Sequence, residues 1–596
     1  MHVFFAFITA LTLLVDAREA PRNVLHEKLT VPISGGPVTL VFPKWVPGQH
    51  APANPVVDLV MLEGMADGKR VAWQRDPVDL FAFTFAAPAG AKTLELRYDS
   101  LLPPGYTTSQ LGLLNWNPTL LYPRGATIGE TTVQASLVLP AGWSFATALD
   151  GPKRDGDRID FAPVTIERLF DSPVLAGSNM TSVPLGPTAV LDVASDSPAP
   201  PVIDPNVKAH FTALVDQAQK LFASHHWRAP YHFLITATDA IGYTGLEHHE
   251  SSWNGVDTDT LASEAACKKF AGDLLTHEFT HSWNGKFRRP AGLVRDDYQA
   301  SETTEGLWVY EGLTEYYSDV LATRAGFWTP ADYRAAIAVK YAYLDAEGGR
   351  RTRSLLDTTF QARLGTSRAA FPGDRRSSEE YYDESELMWL DADTLIREHT
   401  QGKKSLDDFA AAFYGVGGDG PPRVLSYARA DVVAALNAVY PFDWENFLAL
   451  RLDVPTPHPP FAGIERGGYS VVFGAKPPVP NPSTRIGGDA ADYRFDVGLA
   501  IAPSGLIRDV VAGSPGDRAG LAPGMTIVGV DSRRWSPATF AKTIVRDTDT
   551  KNTVGLLVDD RGSFETKTLE YTGGVRIPYL QRTTAPDFLD PILTPR

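Results

Sequence analysis

The sequence predicts a multidomain α+β protein, and three features of the chain support this fold class. First, 596 residues are too many for one hydrophobic core, so several domains are expected. Second, from about residue 23 to 182 short runs alternate between apolar and polar residues and are separated by turn signals, which predicts β-strands. Third, from about 207 to 452 apolar residues recur at helical spacing, and a further β-type block follows at 493–575.

The first predicted domain, residues 18–190, is a β-sandwich. Its clearest strand patterns are Val38–Phe42, Thr93–Arg97, Thr131–Val138 and Arg158–Phe161.

An α-rich domain is predicted at residues 200–452, with a small sheet at its front. It opens with a helix at Phe211–Phe222 and a strand at Tyr231–Ala237. Further helices are expected around 261–285, 304–325, 331–347, 380–398, 405–414 and 429–439. A linker rich in Pro and Gly follows at 453–492.

The composition excludes several kinds of partner and site. A net charge of −16 leaves no basic face that could neutralise phosphates, so nucleic acid is not an expected partner. The single cysteine, Cys267, excludes an intramolecular disulfide and a cysteine-rich metal cluster. Beyond the N-terminal segment, no stretch of the sequence is long and apolar enough to predict a membrane span.

The N-terminal segment, residues 1–17, is interpreted as a signal peptide. Phe4 to Val15 form an apolar run of the length of a signal-peptide core, and small residues lie at the offsets for cleavage after Ala17. No Lys or Arg precedes the run, and the alternative interpretation is an ordinary buried strand. Export would place the protein in the periplasm or outside the cell, with no membrane span after removal of the signal.

The C-terminal block, residues 493–575, resembles a PDZ domain. A strand at Ile507–Val511 is followed by a Gly-Ser-Pro turn, a short helix, a Pro-Gly turn and a strand at Met525–Val530. Gly498–Ile501 takes the place of the PDZ loop whose backbone N–H groups bind a peptide C-terminus. The resemblance implies a C-terminal peptide as ligand, and the alternative is a PDZ fold that only packs against its neighbour.

The strongest chemical signal is the segment His277-Glu278-Phe279-Thr280-His281. Two histidines four residues apart lie on one face of a helix and can bind one zinc ion. Glu278 points toward the open side of that metal, where a general base is needed to activate water. The alternative is a chance match on an amphipathic helix, although Asn284-Gly285 ends the helix as expected.

A catalytic zinc ion takes a third protein ligand, and three glutamates compete for this role. Glu302 and Glu305 fall in or before the first turn of the next predicted helix, where the helix dipole alone favours acids. Glu311 lies in the inward-facing stripe of that helix, where a carboxylate is costly unless it meets a positive charge, so Glu311 is the predicted ligand. Glu315, one turn later, is predicted to accept a hydrogen bond from the second ring nitrogen of a ligating histidine.

Two longer segments resemble the glycyl aminopeptidase family of zinc peptidases. They are HEFTHSWNGKFRRP at 277–290 and LWVYEGLTEYYSD at 307–319, and Lys44-Trp-Val-Pro-Gly48 is similar to the family's motif in its N-terminal β-domain. This resemblance implies a thermolysin-like catalytic domain with one zinc ion per chain. It also implies hydrolysis of the first peptide bond of peptides with a free N-terminus, with Gly or Ala favoured.

The segment Gly245-Leu-Glu-His248 resembles the strand with which related zinc aminopeptidases bind the substrate's amino end. The resemblance therefore places Gly245 and Glu247 beside the cleft, with the Glu247 carboxylate paired to the substrate's ammonium group. His248 and His249 are not predicted to ligate one ion together, because adjacent residues on a strand point to opposite faces. They are interpreted as polar residues with satisfied hydrogen bonds.

A second segment, Tyr381-Tyr-Asp-Glu-Ser385, resembles the Tyr-x-Lys-Gly segment of the related aminopeptidases. The resemblance assigns to the Tyr382 hydroxyl the stabilisation of the oxyanion formed during hydrolysis, with Tyr381 as the alternative. Glu384 and Ser385 stand here where the related enzymes have Lys and Gly.

These residues together predict a zinc-dependent aminopeptidase that uses Glu278 as general base. One alternative is a zinc endopeptidase, which would share the metal site but have an open-ended cleft. Another is a peptide-binding or chaperone-like factor in which the PDZ domain supplies the function and the metal is structural. Glu278 argues against the last alternative, because a purely structural metal site does not need it.

Overall fold

The computed structural model describes residues 10–596 except 104, 229, 365–374, 376–378, 483–490 and 546–551. The chain forms a β-rich N-terminal domain, a helical region with a small sheet, and a small C-terminal domain, as a multidomain mixed fold. Within the described residues, we find no helix with the length and apolar character needed to span a bilayer.

The N-terminal domain is built from three antiparallel or mixed sheets. The nine-stranded sheet contains Leu11–Asp16, Val24–Pro32, Leu59–Ala66, Lys69–Val71, Thr93–Leu101, Thr132–Val138, Lys153–Asp155, Arg158–Asp160 and Val164–Thr165. The four-stranded sheet contains Val38–Val41, Trp73–Arg75, Ala82–Phe85 and Tyr122–Pro123, and the three-stranded sheet Leu111–Leu114, Ser144–Thr147 and Val174–Gly177. Buried side chains of the two larger sheets share one hydrophobic core, as two packed layers do.

The strand Leu11–Asp16 favours the alternative to the signal-peptide interpretation, of which residues 1–9 lie outside the described part of the chain. It pairs in parallel with Thr132–Val138 and antiparallel with Val24–Pro32, so it has neighbours on both sides. Leu11, Leu13 and Val15 are buried in the domain core. Cleavage after Ala17 would remove this interior strand, and the alternative interpretation, a buried strand, describes the segment.

The helical region begins with a five-stranded sheet of Asn179–Pro184, Ala189–Ser195, Tyr231–Ala237, Thr244–Glu247 and Ser251–Val256. Thr244–Glu247 is its edge strand and runs antiparallel to Ser251–Val256. Because an edge strand has one unpaired side, its backbone is available to an extended chain.

Most helices of this region lie close to the predicted ranges, but Leu355–Gln361, Trp444–Leu448 and Ala462–Arg466 were not predicted. The helices are Pro205–Phe222, Glu264–Phe270, His277–Thr280, Leu307–Tyr310, Gly312–Arg324, Pro330–Ala346, Leu355–Gln361, Asp383–Thr400, Leu406–Tyr414, Arg429–Val439, Trp444–Leu448 and Ala462–Arg466. The helix expected around 261–285 is divided, because a π-helical turn at Ala271–Thr276 separates two α-helical pieces.

The C-terminal domain contains two small sheets. One consists of Ala491–Tyr493, Leu499–Ile501 and Ile507–Val510, and the other of Thr526–Val530, Arg533–Arg534, Asn552–Asp560 and Ser563–Tyr571. Two helices, Pro515–Arg518 and Pro537–Val545, complete it. Tyr469–Gly474 pairs with Ile577–Arg582, so the chain enters and leaves the domain side by side. The segment predicted as a linker therefore contains a strand and the helix Ala462–Arg466.

Candidate metal centre and active site

The π-helical turn places the first histidine of the motif at the start of a new α-helical piece, His277–Thr280. The hydroxyl of Thr276 donates to the carbonyl of Ala271 at 2.7 Å and contacts that of Ser318 at 2.9 Å, which fixes the turn against the neighbouring helix. Gly272 allows the turn to lie close to Trp328, since a Cβ at this position would collide with the Trp328 ring. Such turns inside helices frequently mark functional sites.

Three donor groups meet at this point: the imidazoles of His277 and His281 and the carboxylate of Glu311, all buried. The two Nε2 atoms are 3.0 Å apart, and Glu311 Oε2 lies 3.2 Å and 3.3 Å from them. Tetrahedral coordination with bonds of about 2.0–2.1 Å requires donors separated by about 3.3–3.4 Å. The three groups therefore fit one metal ion of the size of zinc.

The third ligand position is occupied by Glu311, and the competing acids lie elsewhere. Glu311 sits between the helices Leu307–Tyr310 and Gly312–Arg324, and it contacts both histidines. Glu302 and Glu305 do not belong to the metal-binding group found among the described residues. Glu311, which was chosen because it lies in the inward stripe of the predicted helix, is thus the glutamate that lies beside both histidines.

Glu315 lies behind His277, at 2.8 Å from its Nδ1 atom. An imidazole whose Nδ1–H donates to a carboxylate presents Nε2 as the lone-pair donor, so this contact selects the tautomer that binds metal. The second oxygen of Glu315 accepts from the ammonium group of Lys340 at 2.9 Å. His281 is held in the same way, with Nδ1 at 2.9 Å from the carbonyl of Asn284.

Glu278 faces a cavity of about 440 Å³ that is lined by residues from the N-terminal domain, the edge strand and the helices. Gly245 of the edge strand lies directly against its carboxylate, and a Cβ at this position would collide with it. Burial, with the nearby carboxylates of Glu247 and Glu311, raises the pKa of Glu278 well above its usual range, although His277 opposes the shift. A base with a raised pKa is suited to exchanging protons near neutral pH.

Tyr381 and Tyr382 both line this cavity, just before the helix Asp383–Thr400. The ring of Tyr382 lies 5.9 Å from that of His277, whereas Tyr381 is buried and packs on Tyr382 at 4.9 Å. The ring of Tyr382 therefore lies beside a predicted metal ligand. Glu384, one of the departures from the related enzymes, forms a buried ion pair with Arg350.

Glu247 is buried on the edge strand, two residues after Gly245, which lines the cavity. Its Oε1 atom accepts a hydrogen bond from Tyr310 at 2.5 Å, and Gly48 lies against Oε2. Gly48 has a φ of +89°, and a Cβ would clash with Glu247, so glycine is required for both reasons. The Tyr310 ring also packs at 5.0 Å against His281, which links Glu247 to the metal group.

His248 and His249 lie outside the metal group, as predicted. Nδ1 of His248 lies 3.5 Å from Oδ1 of Asp171, whereas Nε2 of His248 and Nε2 of His249 have no hydrogen-bond partner among the described residues, so the prediction that their hydrogen bonds are satisfied holds only in part. Both histidines are fully buried next to Asp171 of the N-terminal domain, whose carboxylate accepts from the backbone N–H of His249 at 2.9 Å.

One site residue was missed in the sequence. His50, from the N-terminal domain, lines the same cavity, and its Nε2 atom lies 2.5 Å from Glu311 Oε1. The motif at Lys44–Gly48 ends two residues before it, and this proximity is the signal that the sequence offered.

Comparison with known proteins identifies the family. A model of the peptidase M61 N-terminal domain matches residues 12–178, and the M61 glycyl aminopeptidase model matches residues 271–388. These two regions of the chain match the M61 peptidase family. The chain is accordingly a metallopeptidase of the aminopeptidase type, and the resemblance found in the sequence is confirmed. No curated protein shows significant sequence similarity to the chain.

Among solved structures, an aminopeptidase N family protein from Idiomarina loihiensis has the same fold over nearly the whole M61 chain. It is 19% identical, with a TM-score of 0.81, and the match covers 98% of this chain and 100% of that one. A yeast LTA4 hydrolase bound to bestatin is 15% identical, with a TM-score of 0.45 and coverage of 75% and 68%. An M1 zinc metallopeptidase from Deinococcus radiodurans is also 15% identical, with a TM-score of 0.45 and coverage of 76% and 95%.

Proposed function

We propose that this M61 peptidase is a zinc-dependent aminopeptidase that removes Gly or Ala from peptides with a free N-terminus. The observation that carries the proposal is the arrangement of Glu247 and Glu278 around the His277, His281 and Glu311 group. The Glu278 carboxylate faces the cavity, and the buried Glu247 carboxylate is linked to the metal group through Tyr310. In this arrangement Glu278 can act as the general base, and Glu247 can bind an ammonium group.

The predicted chemistry assigns a separate task to each side chain. A zinc ion held by His277, His281 and Glu311 would polarise the scissile carbonyl and lower the pKa of water. Glu278 takes the proton from the attacking water and returns it to the leaving amine. The Tyr382 hydroxyl donates a hydrogen bond to the oxygen that becomes negatively charged. Glu247 binds the α-ammonium group and thereby sets which peptide bond reaches Glu278.

The preference for Gly or Ala is supported by the small space at the amino end. Gly48 presses against the Glu247 carboxylate and Leu246, and His50 lies beside Tyr310 with ring centroids 4.9 Å apart. A loop of the N-terminal domain thus lines the cavity on the side of the edge strand. We expect this loop to limit the space for the side chain of the first substrate residue and to block a longer peptide, as an exopeptidase requires.

We also propose that residues 493–575 have a PDZ-type fold, but a peptide ligand would have to displace a segment of the chain itself. Ala491–Tyr493 pairs antiparallel with Leu499–Ile501, and the Tyr493 ring packs on Phe540 at 4.8 Å. The Tyr493 carbonyl accepts from the backbone N–H groups of Asp496, Val497 and Gly498, at 3.2, 3.0 and 2.9 Å. Gly498 is the first residue of the loop predicted to bind a peptide carboxylate, and Asp496 and Val497 directly precede it.

The proposal is tested by digesting a mixture of peptides that begin with Gly, Ala or Leu, each free and N-acetylated, and analysing the products by mass spectrometry. We expect release of the first residue from free Gly and Ala peptides, loss of activity with a chelator, and recovery with zinc. Removing one partner of a buried charge pair costs about 2–5 kcal/mol, so Glu247→Ala should lower specificity by roughly 30-fold to several thousand-fold.

Glu305→Ala serves as the control, because Glu305 is an exposed acid outside the metal group. Efficient internal cleavage of acetylated peptides by the parent protein would overturn the proposal in favour of an endopeptidase. Intact peptides that remain bound but uncleaved with zinc present would instead favour the peptide-binding alternative.

A further inference from the structure

The N-terminal domain contributes one imidazole to the metal centre. His50 is buried, and its Nε2 atom lies 2.5 Å from Oε1 of Glu311. Its ring meets the ring of Tyr310 edge-on, with centroids 4.9 Å apart. His50 thus contacts a predicted metal ligand on the side away from the two ligating histidines.

The two oxygens of Glu311 have different neighbours. Oε2 lies 3.2 Å from Nε2 of His277 and 3.3 Å from Nε2 of His281, whereas Oε1 is hydrogen-bonded to Nε2 of His50. His50 itself is outside the group of donors that can surround one ion. A carboxylate can rotate and bind metal through either or both oxygens, so a hydrogen bond to one oxygen leaves only the other for the metal.

We propose that His50 is a positioning residue that holds Glu311 as a single-oxygen metal ligand, and that the N-terminal domain is therefore part of the metal site. This inference rests on the proposed binding of a divalent metal by His277, His281 and Glu311. Partners of this kind typically change metal affinity by about 10–100-fold when they are removed.

The loop that carries His50 is anchored to the helical region. The backbone N–H groups of Lys44 and Trp45 both donate to the Tyr298 carbonyl, at 2.9 and 3.0 Å. The Gln299 side chain donates to the Phe42 carbonyl at 2.7 Å. His50 has a φ of +51°, an uncommon conformation for a residue with a side chain. Strained positions of this kind persist only where the surrounding structure enforces them, and they cluster at functional sites.

The test is the equilibrium affinity for zinc, measured by competition with a chromophoric chelator. His50→Phe keeps a ring of similar size against Tyr310 but cannot donate a hydrogen bond to Glu311. We expect its zinc affinity to fall by about 10–100-fold. His50→Gln retains an N–H donor and should recover part of the loss. His26→Phe, a substitution of a half-buried histidine elsewhere in the same domain, should bind zinc as the parent does.

A second measurement separates positioning from general stability. The visible absorption spectrum of the cobalt(II)-loaded protein reports the ligand geometry, and His50→Phe should change it while His26→Phe should not. Should His50→Phe fail to fold, His50→Ala takes its place with the same expected loss. Unchanged zinc affinity and spectrum in the His50 variants would overturn this inference. A parent protein that binds neither metal would instead overturn the proposed function.

Discussion

Lys340 balances an excess of buried negative charge behind the metal group. Its ammonium group contacts Glu315 and Asp319 at 2.9 Å and Glu386 at 2.7 Å, and Asp273 lies at 3.7 Å. Burial alone would lower the pKa of Lys340, but these carboxylates hold it well above its usual range. The lysine therefore stays charged and fixes Glu315, which in turn fixes the tautomer of His277.

At the scale of single residues, the roles of Glu278 and Glu311 are separable by experiment. Glu278→Gln should keep zinc bound and reduce turnover by about 10²–10⁴-fold, because general-base catalysis contributes about that much. Glu311→Gln should lose zinc on dialysis against a weak chelator, whereas Glu302→Gln should retain it. The measurements are metal content and kcat for each variant. Loss of zinc from Glu278→Gln would show that Glu278 holds the metal and is not only the general base.

At the scale of elements, the sequence was informative where short-range spacing determines the structure. The spacing of His277 and His281 and the place of Glu311 in the inward stripe depend on helical periodicity alone, so all three residues could be predicted from it. The π-helical turn at Ala271–Thr276 could not be predicted in this way. It depends on Gly272 packing against Trp328, a contact that helical spacing does not report.

The same limit applies to contacts between distant parts of the chain. His50 reaches Glu311 across 261 sequence positions, so no local pattern could connect them. The first strand shows a related ambiguity. An apolar run at the N-terminus has the composition of a signal-peptide core and of a buried strand, and only the pairing of Leu11–Asp16 with two other strands distinguishes them.

A prediction at the element scale follows for this strand. A protein that begins at Arg18 lacks an interior strand and should be insoluble or unfold at a markedly lower temperature than the full chain, since the buried side chains of Leu11, Leu13 and Val15 are removed. Deletion of residues 1–9 is the control, because the strand remains. The measurement is the thermal unfolding midpoint by circular dichroism. A truncated protein with an unchanged midpoint would favour the signal-peptide interpretation.

At the scale of the whole molecule, a buried polar cluster joins the N-terminal domain to the helical region. Asp171 contacts the Lys286 ammonium group at 3.0 Å and accepts from the His249 backbone at 2.9 Å. Arg168 forms an ion pair with Glu250 in the same cluster. These contacts, with the loop that carries His50, hold the two domains around one active site, so conditions that disturb the cluster should affect the whole protein.

Acid is such a condition, and His249 is one group through which it acts. Burial lowers the pKa of His249 from 6.5 to about 3, so the folded protein excludes a proton that the unfolded chain binds below pH 6.5. The free energy of unfolding therefore falls as the pH decreases from 6.5 toward 3, by up to about 1.4 kcal/mol per pH unit. Buried acids change the free energy of unfolding in the opposite direction. Burial raises the pKa of Glu384 to about 7 despite its ion pair with Arg350, so the folded protein binds a proton at this group more readily than the unfolded chain does.

The prediction is therefore a difference between the parent and a variant without this histidine. Between pH 7 and pH 5 the parent should lose more stability than His249→Gln, by up to about 2 kcal/mol, because the variant has no imidazole to titrate in this interval. The thermal unfolding midpoints of both proteins at the two pH values provide the measurement. His458→Gln, which removes an exposed histidine, should keep the pH dependence of the parent. An equal loss in the parent and in His249→Gln would mean that His249 is not a source of acid sensitivity at the domain boundary.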